Sequence, residues 1–250
     1  MKISSAFTYH QRSKNIPINM SKDPKQITAD LARIIRGDVF GDILHRFAYS
    51  GDASIYSIVP LCVVAPRDSA DIVATIKYAQ AEGIPVVARG AGSGVAGESL
   101  CSGIVLDTTR YMNKIIRISD DAELVMCEPG VVLDELNNSL AKYGRKIGPD
   151  PSTSNRAVIG GCVANNATGA HSLKYGYIGD YVESIEAVLA DGSIVQLQDN
   201  FDPGNAENEK VASIAKSCAE LLSNNEAIIA KALPKTKRNR SGYTLSLIHI

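Results

Sequence analysis

Residues Val86 to Gly97 read Val-Val-Ala-Arg-Gly-Ala-Gly-Ser-Gly-Val-Ala-Gly, an apolar run that ends in four glycines within eight positions. Glycine adopts positive φ without strain and lets the main chain come close to a ligand. Successive turned N–H groups form a concave nest for an anion, typically a phosphate. The chemistry open to Gly90, Ala91, Gly92, Ser93 and Gly94 is therefore anion binding by main-chain donors. Two well-known phosphate loops can be tested. Gly92 to Gly97 spells G-x-G-x-x-G, but a dinucleotide fingerprint must open a helix. Here Glu98 to Ser102 leads only to Gly103 and a new apolar run, Ile104-Val105-Leu106. Those five residues are too few for a packing helix. Gly92 to Ser99 also has the spacing of a nucleoside-triphosphate loop, with Glu98 where a lysine must stand. A carboxylate there repels phosphate, so that reading fails. A glycine-rich turn that holds nothing is the plain alternative.

A second unusual stretch runs from Gly148 to Gly179. Pro149 and Pro151 stiffen its start. Ser152, Thr153, Ser154, Asn165, Asn166 and Thr168 offer neutral donors and acceptors, while Gly160, Gly161, Ala164, Ala167, Gly169 and Ala170 carry almost no side chain. A flat, polar surface of this kind suits a large planar heterocycle such as a flavin, whose edge needs hydrogen bonds and whose face needs close main-chain approach. The alternative is a long surface loop, although a structureless loop of roughly thirty residues is uncommon and tends to be functional.

The elements that must position these segments follow from periodicity. Asp23 to Ile35 is predicted as a helix, capped by Asp23, begun by Pro24 and stopped near Gly37, with Ile27, Leu31, Ile34 and Ile35 on one face. Residues 38–57 read as a short helix and loops. Leu61 to Ala65 is a buried strand, and Asp68 or Ser69 caps a helix to Glu82 with Ile72, Val73, Ile76 and Ala79 inward and Gly83 at its exit. Ile84 to Ala88 is the next strand, which gives a strand–helix–strand unit of the kind that pairs in parallel. A strand at Ile104 to Leu106 follows, then a hairpin-like pair, Ile115–Ile118 and Glu123–Glu128. Val131 to Tyr143 is a helix with Val132, Leu133, Leu136 and Leu140 inward and Gly144 as its stop. Ile185–Leu189 and Ile194–Leu197 flank Asp191-Gly192, a strong hairpin signal. Ala206 to Leu222 is a helix with Val211, Ile214, Ala215, Cys218, Leu221 and Leu222 as its buried stripe, followed by a helix near Glu226 to Leu233. The fold class is α+β.

Composition narrows the function. The 250 residues are 45% hydrophobic and 21% charged, ordinary for a globular chain, and the net charge of −1 implies no basic surface and no nucleic-acid partner. Residues 1–5 carry no apolar signal region, and no stretch is long and apolar enough for a membrane span. Cys62, Cys101, Cys127, Cys162 and Cys218 are scattered and odd in number, with no C-x-x-C pair. That usage fits a reduced, cytoplasmic chain with buried thiols and no metal site. The basic run Lys235 to Arg240 reads as a solvated loop.

Five motifs together resemble a known family. Arg89-Gly90-Ala91-Gly92-Ser93-Gly94, Gly148-Pro149-Asp150-Pro151-Ser152-Thr153-Ser154, Ile159-Gly160-Gly161 through Asn165-Asn166-Ala167, Lys174-Tyr175-Gly176 and Val188-Leu189-Ala190-Asp191-Gly192 occur in this order. They are similar to the FAD-binding domain of the FAD-linked oxidases, the PCMH or vanillyl-alcohol-oxidase type, in the branch of D-lactate, glycolate and D-2-hydroxyglutarate dehydrogenases. Asp52-Ala53-Ser54-Ile55-Tyr56 before Pro60 resembles the long forms of that branch, which carry a C-terminal iron–sulfur part.

The resemblance implies non-covalent FAD, since the glycine loop holds no histidine; His171 is the one to watch. It implies that Gly90 to Gly94 hold the pyrophosphate, with the Ser93 hydroxyl assisting. Pro151, Ser152 and Thr153 would lie near the flavin, and Gly160, Gly161, Val163, Ala164, Asn165 and Asn166 would line the isoalloxazine and ribityl chain, with Gly169, Tyr175 and Gly176 as further candidates. The implied reaction oxidises a D-2-hydroxy acid to the 2-oxo acid. A base takes the hydroxyl proton while the α-hydrogen passes as hydride to flavin N5, and electrons leave to a separate acceptor. The whole enzyme would be cytoplasmic or peripheral to the inner face of a membrane.

In domain terms, 1–57 is a helical extension, 58–245 the FAD-binding domain, incomplete at its C-terminal side, and 246–250 a tail foreign to the pattern. The family's substrate-binding cap is missing, so the catalytic residues are unknown and the chain reads as an N-terminal fragment. Two other readings stay open: a non-catalytic flavin-binding fragment, and a flavoenzyme like UDP-N-acetylmuramate reductase.

Overall fold

Asp23 caps the first helix, α1 (Pro24–Ile34), by accepting from the Gln26 N–H at 2.8 Å, and Pro24 sits where its missing N–H costs nothing. The computed structural model describes residues 23–198 and 209–232. Ile27 and Leu31 of α1 are buried. Ile34, expected beside them, is 50% exposed: the helix ends there, and Ile35, already in extended backbone, takes the buried place.

The helix covers a four-stranded sheet in the order β1-β2-β4-β3, where β1 is Asp38–Phe40, β2 Cys62–Ala65, β3 Val86–Arg89 and β4 Ile104–Asp107. β1 corrects the expectation of only a short helix and loops over 38–57. It pairs antiparallel with β2, Val39 opposite Val64, and at three residues it is too short to show an alternation. The short helix, α2, is Ile43–Ala48.

β2 and β3 are parallel, as a strand–helix–strand unit requires, but they are not neighbours. β4 lies between them, with Val105 opposite both Val63 and Val87. All four residues of β4 are buried, which makes it the inner strand, whereas β3 is at the edge.

The connecting helix α3 (Ser69–Glu82) is capped by Asp68 and leaves through Gly83 at φ +66. Its fully buried line is Asp71, Thr75 and Ala79; Ile72, Val73 and Ile76 are only partly buried. Asp71 can be buried because its carboxylate accepts from three main-chain N–H groups, Arg36 at 2.9 Å, Gly37 at 3.0 Å and Arg67 at 2.9 Å.

Beyond the sheet, β5 (Ile115–Ile118) and β6 (Val125–Cys127) form the expected antiparallel pair. Helix α4 (Leu133–Ala141) follows, with Leu133, Leu136 and Leu140 buried and Gly144 at φ +67 past its end. Val132, expected within the helix, is its cap residue. The Gly148–Gly179 stretch is not structureless. It contains α5 (Ile159–Ala164) and α6 (Ser172–Tyr175) and enters a 3-10 turn at Ile178–Tyr181.

The described residues fall into two units, one running to Tyr181 and including Ala190–Gly192, the other holding Val182–Leu189 and the residues from Ser193 on. In the second unit β7 (Ser184–Val188) and β8 (Ile194–Gln198) pair antiparallel, and α7 (Glu209–Asn224) precedes α8 (Glu226–Ala232). Of the stripe expected to be buried on α7, Val211 and Leu222 are; Ile214, Cys218 and Leu221 are exposed. The cysteines likewise divide, with Cys62 and Cys162 buried, Cys101 and Cys127 partly so. The stretch 199–208, the basic run Lys235–Arg240 and the tail 246–250 lie outside the described residues.

Candidate cofactor site

The glycine loop leaves the C-terminal end of β3 and returns at β4 without a helix, as the sequence implied. Two small-residue walls meet at it. The first is Gly90–Gly94. The second is the turn at Pro151–Thr153 together with α5.

The second wall is held by main-chain bonds. The Leu133 N–H donates to Ala157 O at 3.0 Å, Ile159 to Val131 O at 2.8 Å and Gly160 to Pro129 O at 2.8 Å. These bonds draw α5 against the chain that enters α4. They explain how Gly160 and Gly161, poor helix formers, still sit in a helix: tertiary pairing fixes the segment that feeds it. Gly160 is also needed for space, since a Cβ there would lie 2.6 Å from Pro129 Cβ.

The walls touch at Val158. A Cβ on Gly90 would come within 2.2 Å of Val158 Cγ2. Between the walls is a cavity of about 390 Å³, within the range of small-molecule sites. Its lining includes Gly90, Ala91, Gly92, Ser93, Gly94, Pro151, Thr153, Gly161, Ala164 and Asn165, which the sequence had singled out.

Ser152, Gly160, Val163, Asn166 and Gly169 lie outside that lining. Asn166, in left-handed backbone at φ 43, accepts the Gly179 N–H at 3.0 Å, and a Cβ on Gly169 would strike the Asp150 carbonyl oxygen at 1.9 Å. Asn166 and Gly169 shape the chain that follows the wall, while Ser152, Gly160 and Val163 belong to the wall's own turn and helix without lining the cavity.

Ala167, one of the small residues of the expected flat surface, also lines the cavity, as do Ala88, Glu98, Ser99, Ala157, Val158 and Cys162, unforeseen as site residues. The apolar ones carry no polar signal and read as core. Glu98 has one. Its carboxylate accepts from the Ala96 N–H at 3.0 Å and from Asn165 Nδ2 at 3.1 Å, so it links the two walls.

His171 does not line the cavity. Its Nδ1 pairs with the Asp150 carboxylate, whose other oxygen accepts the His171 N–H at 3.1 Å. The hydrogen bond from His171 holds the Asp150 carboxyl below its ordinary value, against a smaller opposing effect of burial. Among the described residues no group of histidine, cysteine or carboxylate side chains is placed to hold a metal ion, and no helix is long and apolar enough to cross a membrane.

The arrangement can do two things chemically. Main-chain donors at Gly90–Gly94 can receive an anion, and the small neutral second wall can lie along a flat group. An α+β domain with a helix-free glycine loop facing such a wall is a cofactor-binding domain of the phosphate-nest kind. Residues 60–198 match the family model described as FAD binding domain, and the chain belongs to that family.

It is 34% identical over 216 residues to D-2-hydroxyglutarate dehydrogenase of Escherichia coli (strain K12), covering 84% of this chain and 21% of that protein. To D-lactate dehydrogenase of Archaeoglobus fulgidus it is 37% identical over 137 residues, 54% of this chain and 30% of the relative. Among solved structures, alkyldihydroxyacetonephosphate synthase superposes with a TM-score of 0.63 at 22% identity, over 75% of this chain and 37% of that one. That likeness supports the fold alone. The chain spans about a fifth of the length of the D-2-hydroxyglutarate dehydrogenases it matches, 21% in the Escherichia coli protein.

Proposed function

We propose that this chain binds FAD non-covalently between the two walls, as the cofactor-binding part of an enzyme that oxidises a D-2-hydroxy acid of the lactate, glycolate or 2-hydroxyglutarate class. The observation that carries the reading is the cavity lined from both sides by the Gly90–Gly94 loop and by Thr153, Gly161 and Asn165. Gly90 to Gly94 present main-chain N–H groups to the pyrophosphate, and the Ser93 hydroxyl adds a donor. Gly161, Ala164 and Asn165 take the flavin side, where the absence of long side chains admits a flat ring and the Asn165 amide supplies a polar contact. Ser152, Gly160 and Val163 belong to the turn and helix that form that surface, and Asn166 and Gly169 hold the chain that follows it.

The residues present fit the group. Gly92 has φ +62, so the turn of the cradle requires glycine there. Glu98, the negative group in the lining, is engaged by the Ala96 N–H and Asn165 Nδ2 and has to turn aside on its flexible side chain for a pyrophosphate to enter beside Gly94. Non-covalent attachment is supported by His171, whose ring is engaged by Asp150 away from the cavity lining.

When bound, FAD supplies the two-electron acceptor for the alcohol. This chain's residues would hold and orient the cofactor. The base and the cations for the substrate carboxylate belong to the cap domain of the whole protein. For that protein we further propose an iron–sulfur cluster in a C-terminal part, a separate electron acceptor and a cytoplasmic or membrane-peripheral location, on the resemblance of Asp52–Tyr56 to the long forms. The domain reading is an extension over 1–57, an FAD-binding domain over 58–245 and a foreign tail over 246–250.

The test has two parts. The purified chain titrated with FAD should quench flavin fluorescence and release all of its flavin on acid treatment; a chain that stays colourless and is not stabilised by FAD rejects the binding claim. In the whole enzyme, one of a panel of D-2-hydroxy acids should bleach the flavin. Reduction by none of them rejects the substrate class.

A further inference from the structure

A phosphate nest has a structural difficulty. N–H groups offered to an anion are not available for the loop's own secondary structure, so something else must fix its shape. Here that something lies outside the matched family region, which begins at residue 60. Residues 49–54 line none of the cavity, yet they grip the glycine loop at its beginning, middle and end.

At the beginning, Arg89 Nη2 donates to Gly51 O at 2.8 Å, and the guanidinium lies 5.2 Å from the centre of the Tyr49 ring. In the middle, the Ala53 N–H donates to Gly92 O at 3.0 Å. At the end, the buried Ser99 hydroxyl donates to Asp52 Oδ2 at 3.1 Å, while Asp52 Oδ1 accepts the Ser54 N–H at 2.8 Å and curls the segment. Each grip uses a side chain or a carbonyl of the loop and none uses a loop N–H. Gly92, at φ +62, lies against the Arg89 guanidinium, and a Cβ there would push Arg89 Nη2 off Gly51 O.

We propose that residues 49–54 are the strap that holds the Gly90–Ser99 loop in its anion-binding shape, with Asp52 and Ser99 as positioning residues for the cofactor pyrophosphate. The proposal rests on the FAD reading for its ligand.

The test uses the full chain with D52A, D52N, S99A and the double variant D52A/S99A. It measures FAD affinity by fluorescence titration and, without FAD, amide hydrogen exchange across the chain. D52A, which loses both the Ser99 and the Ser54 bond, should weaken FAD binding about tenfold, S99A, which loses only the first, by no more than that, and the double variant no more than D52A, since the Ser99 contact is shared. D52N, which can still accept from Ser54 and pair with Ser99, should bind FAD within about twofold of the unmodified chain. Exchange in D52A should rise at the Ala53 N–H, which donates to Gly92 O, and at the Ala96 N–H, which donates to Glu98, and stay unchanged in α1 and α3. Unchanged affinity in D52A, or exchange that rises throughout the chain, overturns the strap. If the unmodified chain takes up no FAD, the FAD reading fails by itself, and unchanged exchange at Ala53 and Ala96 in D52A still refutes the strap.

Discussion

The two walls of the cavity are both built of small residues, yet they are held in opposite ways. The glycine loop is fixed mainly through the side chains of Asp52, Ser99 and Arg89, with one main-chain bond that it only accepts, from the Ala53 N–H to Gly92 O. The α5 wall is fixed through main-chain bonds to residues 129–133 and by packing behind it, where Val131, Leu136 and Leu140 form a core with Ile147 and Ile159. A wall that must keep its N–H groups free has to borrow its stability from side chains. A wall that offers mainly a surface can use its own backbone. The first is therefore sensitive to lost polar groups, and the second to lost or added volume.

The largest effect should come from volume behind the second wall. Leu136 is 1% exposed, and Leu136→Ala should lower unfolding free energy in urea by about 2–5 kcal/mol. On the sheet side the comparable change is polar. Asp71→Ala strands three main-chain N–H donors that its carboxylate now receives, and should cost about 2–3 kcal/mol in the same assay. A smaller loss for Leu136→Ala than for an exposed leucine such as Leu173→Ala would break the distinction.

Where the walls meet, both kinds of constraint act at once. Gly90→Ala should cost about 1–3 kcal/mol, because Val158 Cγ2 stands 2.2 Å from the new methyl and a β-branched side chain has little freedom to turn. Adding Val158→Ala should return part of the lost stability and FAD affinity, and calorimetry of the single and double variants measures how much. An additive double variant would show that the clash is not the cause.

The same distinction decides what could be read from sequence. α3 announces itself by its Asp68 cap, α3 and α4 both by periodicity and stop glycines, and the β7–β8 hairpin by Asp191-Gly192, because these signals are local. Glycine loop residues Gly90 to Gly94 were legible for the same reason: their composition is the signal. α5 was hidden since Gly160-Gly161 opposes a helix, and it forms only because distant residues pair with the chain before it. Asp71 as a buried anchor and residues 49–54 as neighbours of the loop were hidden too, as their partners lie 34 and 47 positions away in the chain. The exposed Ile214 and Leu221 on α7 show the limit of periodicity, which finds an apolar face but not what covers it.

The turn behind the second wall should respond to acid. The Asp150 carboxyl is held below its ordinary value of 3.8, chiefly by the hydrogen bond with His171. A depressed carboxylate contributes stability that is complete above the unfolded value and is lost as pH falls through the folded one. Thermal unfolding followed from pH 7 down should therefore show Asp150→Asn below the unmodified chain near neutrality, the gap narrowing below about pH 4. A gap that stays constant to pH 2 would remove the pair from the account.

The gentlest probe uses the chain's own thiols, one in each region. Burial pushes the Cys62 thiol, in β2, up to about 12, with opposing help from the Arg46 charge, and the Cys162 thiol, in α5, up to about 11. At pH 8 both are protonated and enclosed, and a thiolate is the reactive form. Iodoacetamide should modify exposed Cys218 first, and neither buried thiol in native buffer. Low urea separates the two. Cys62 sits between buried neighbours in a sheet and can react only when the sheet opens, whereas Cys162 sits in a six-residue helix whose place depends on main-chain bonds to residues 129–133. Cys162 should therefore label before Cys62, by peptide mass spectrometry, and FAD should slow Cys162 at urea concentrations where Cys62 does not yet react, because Cys162 lines the cavity. Simultaneous labelling of the two would mean that the second wall opens only with the sheet, and that its backbone pairing is as secure as the sheet itself.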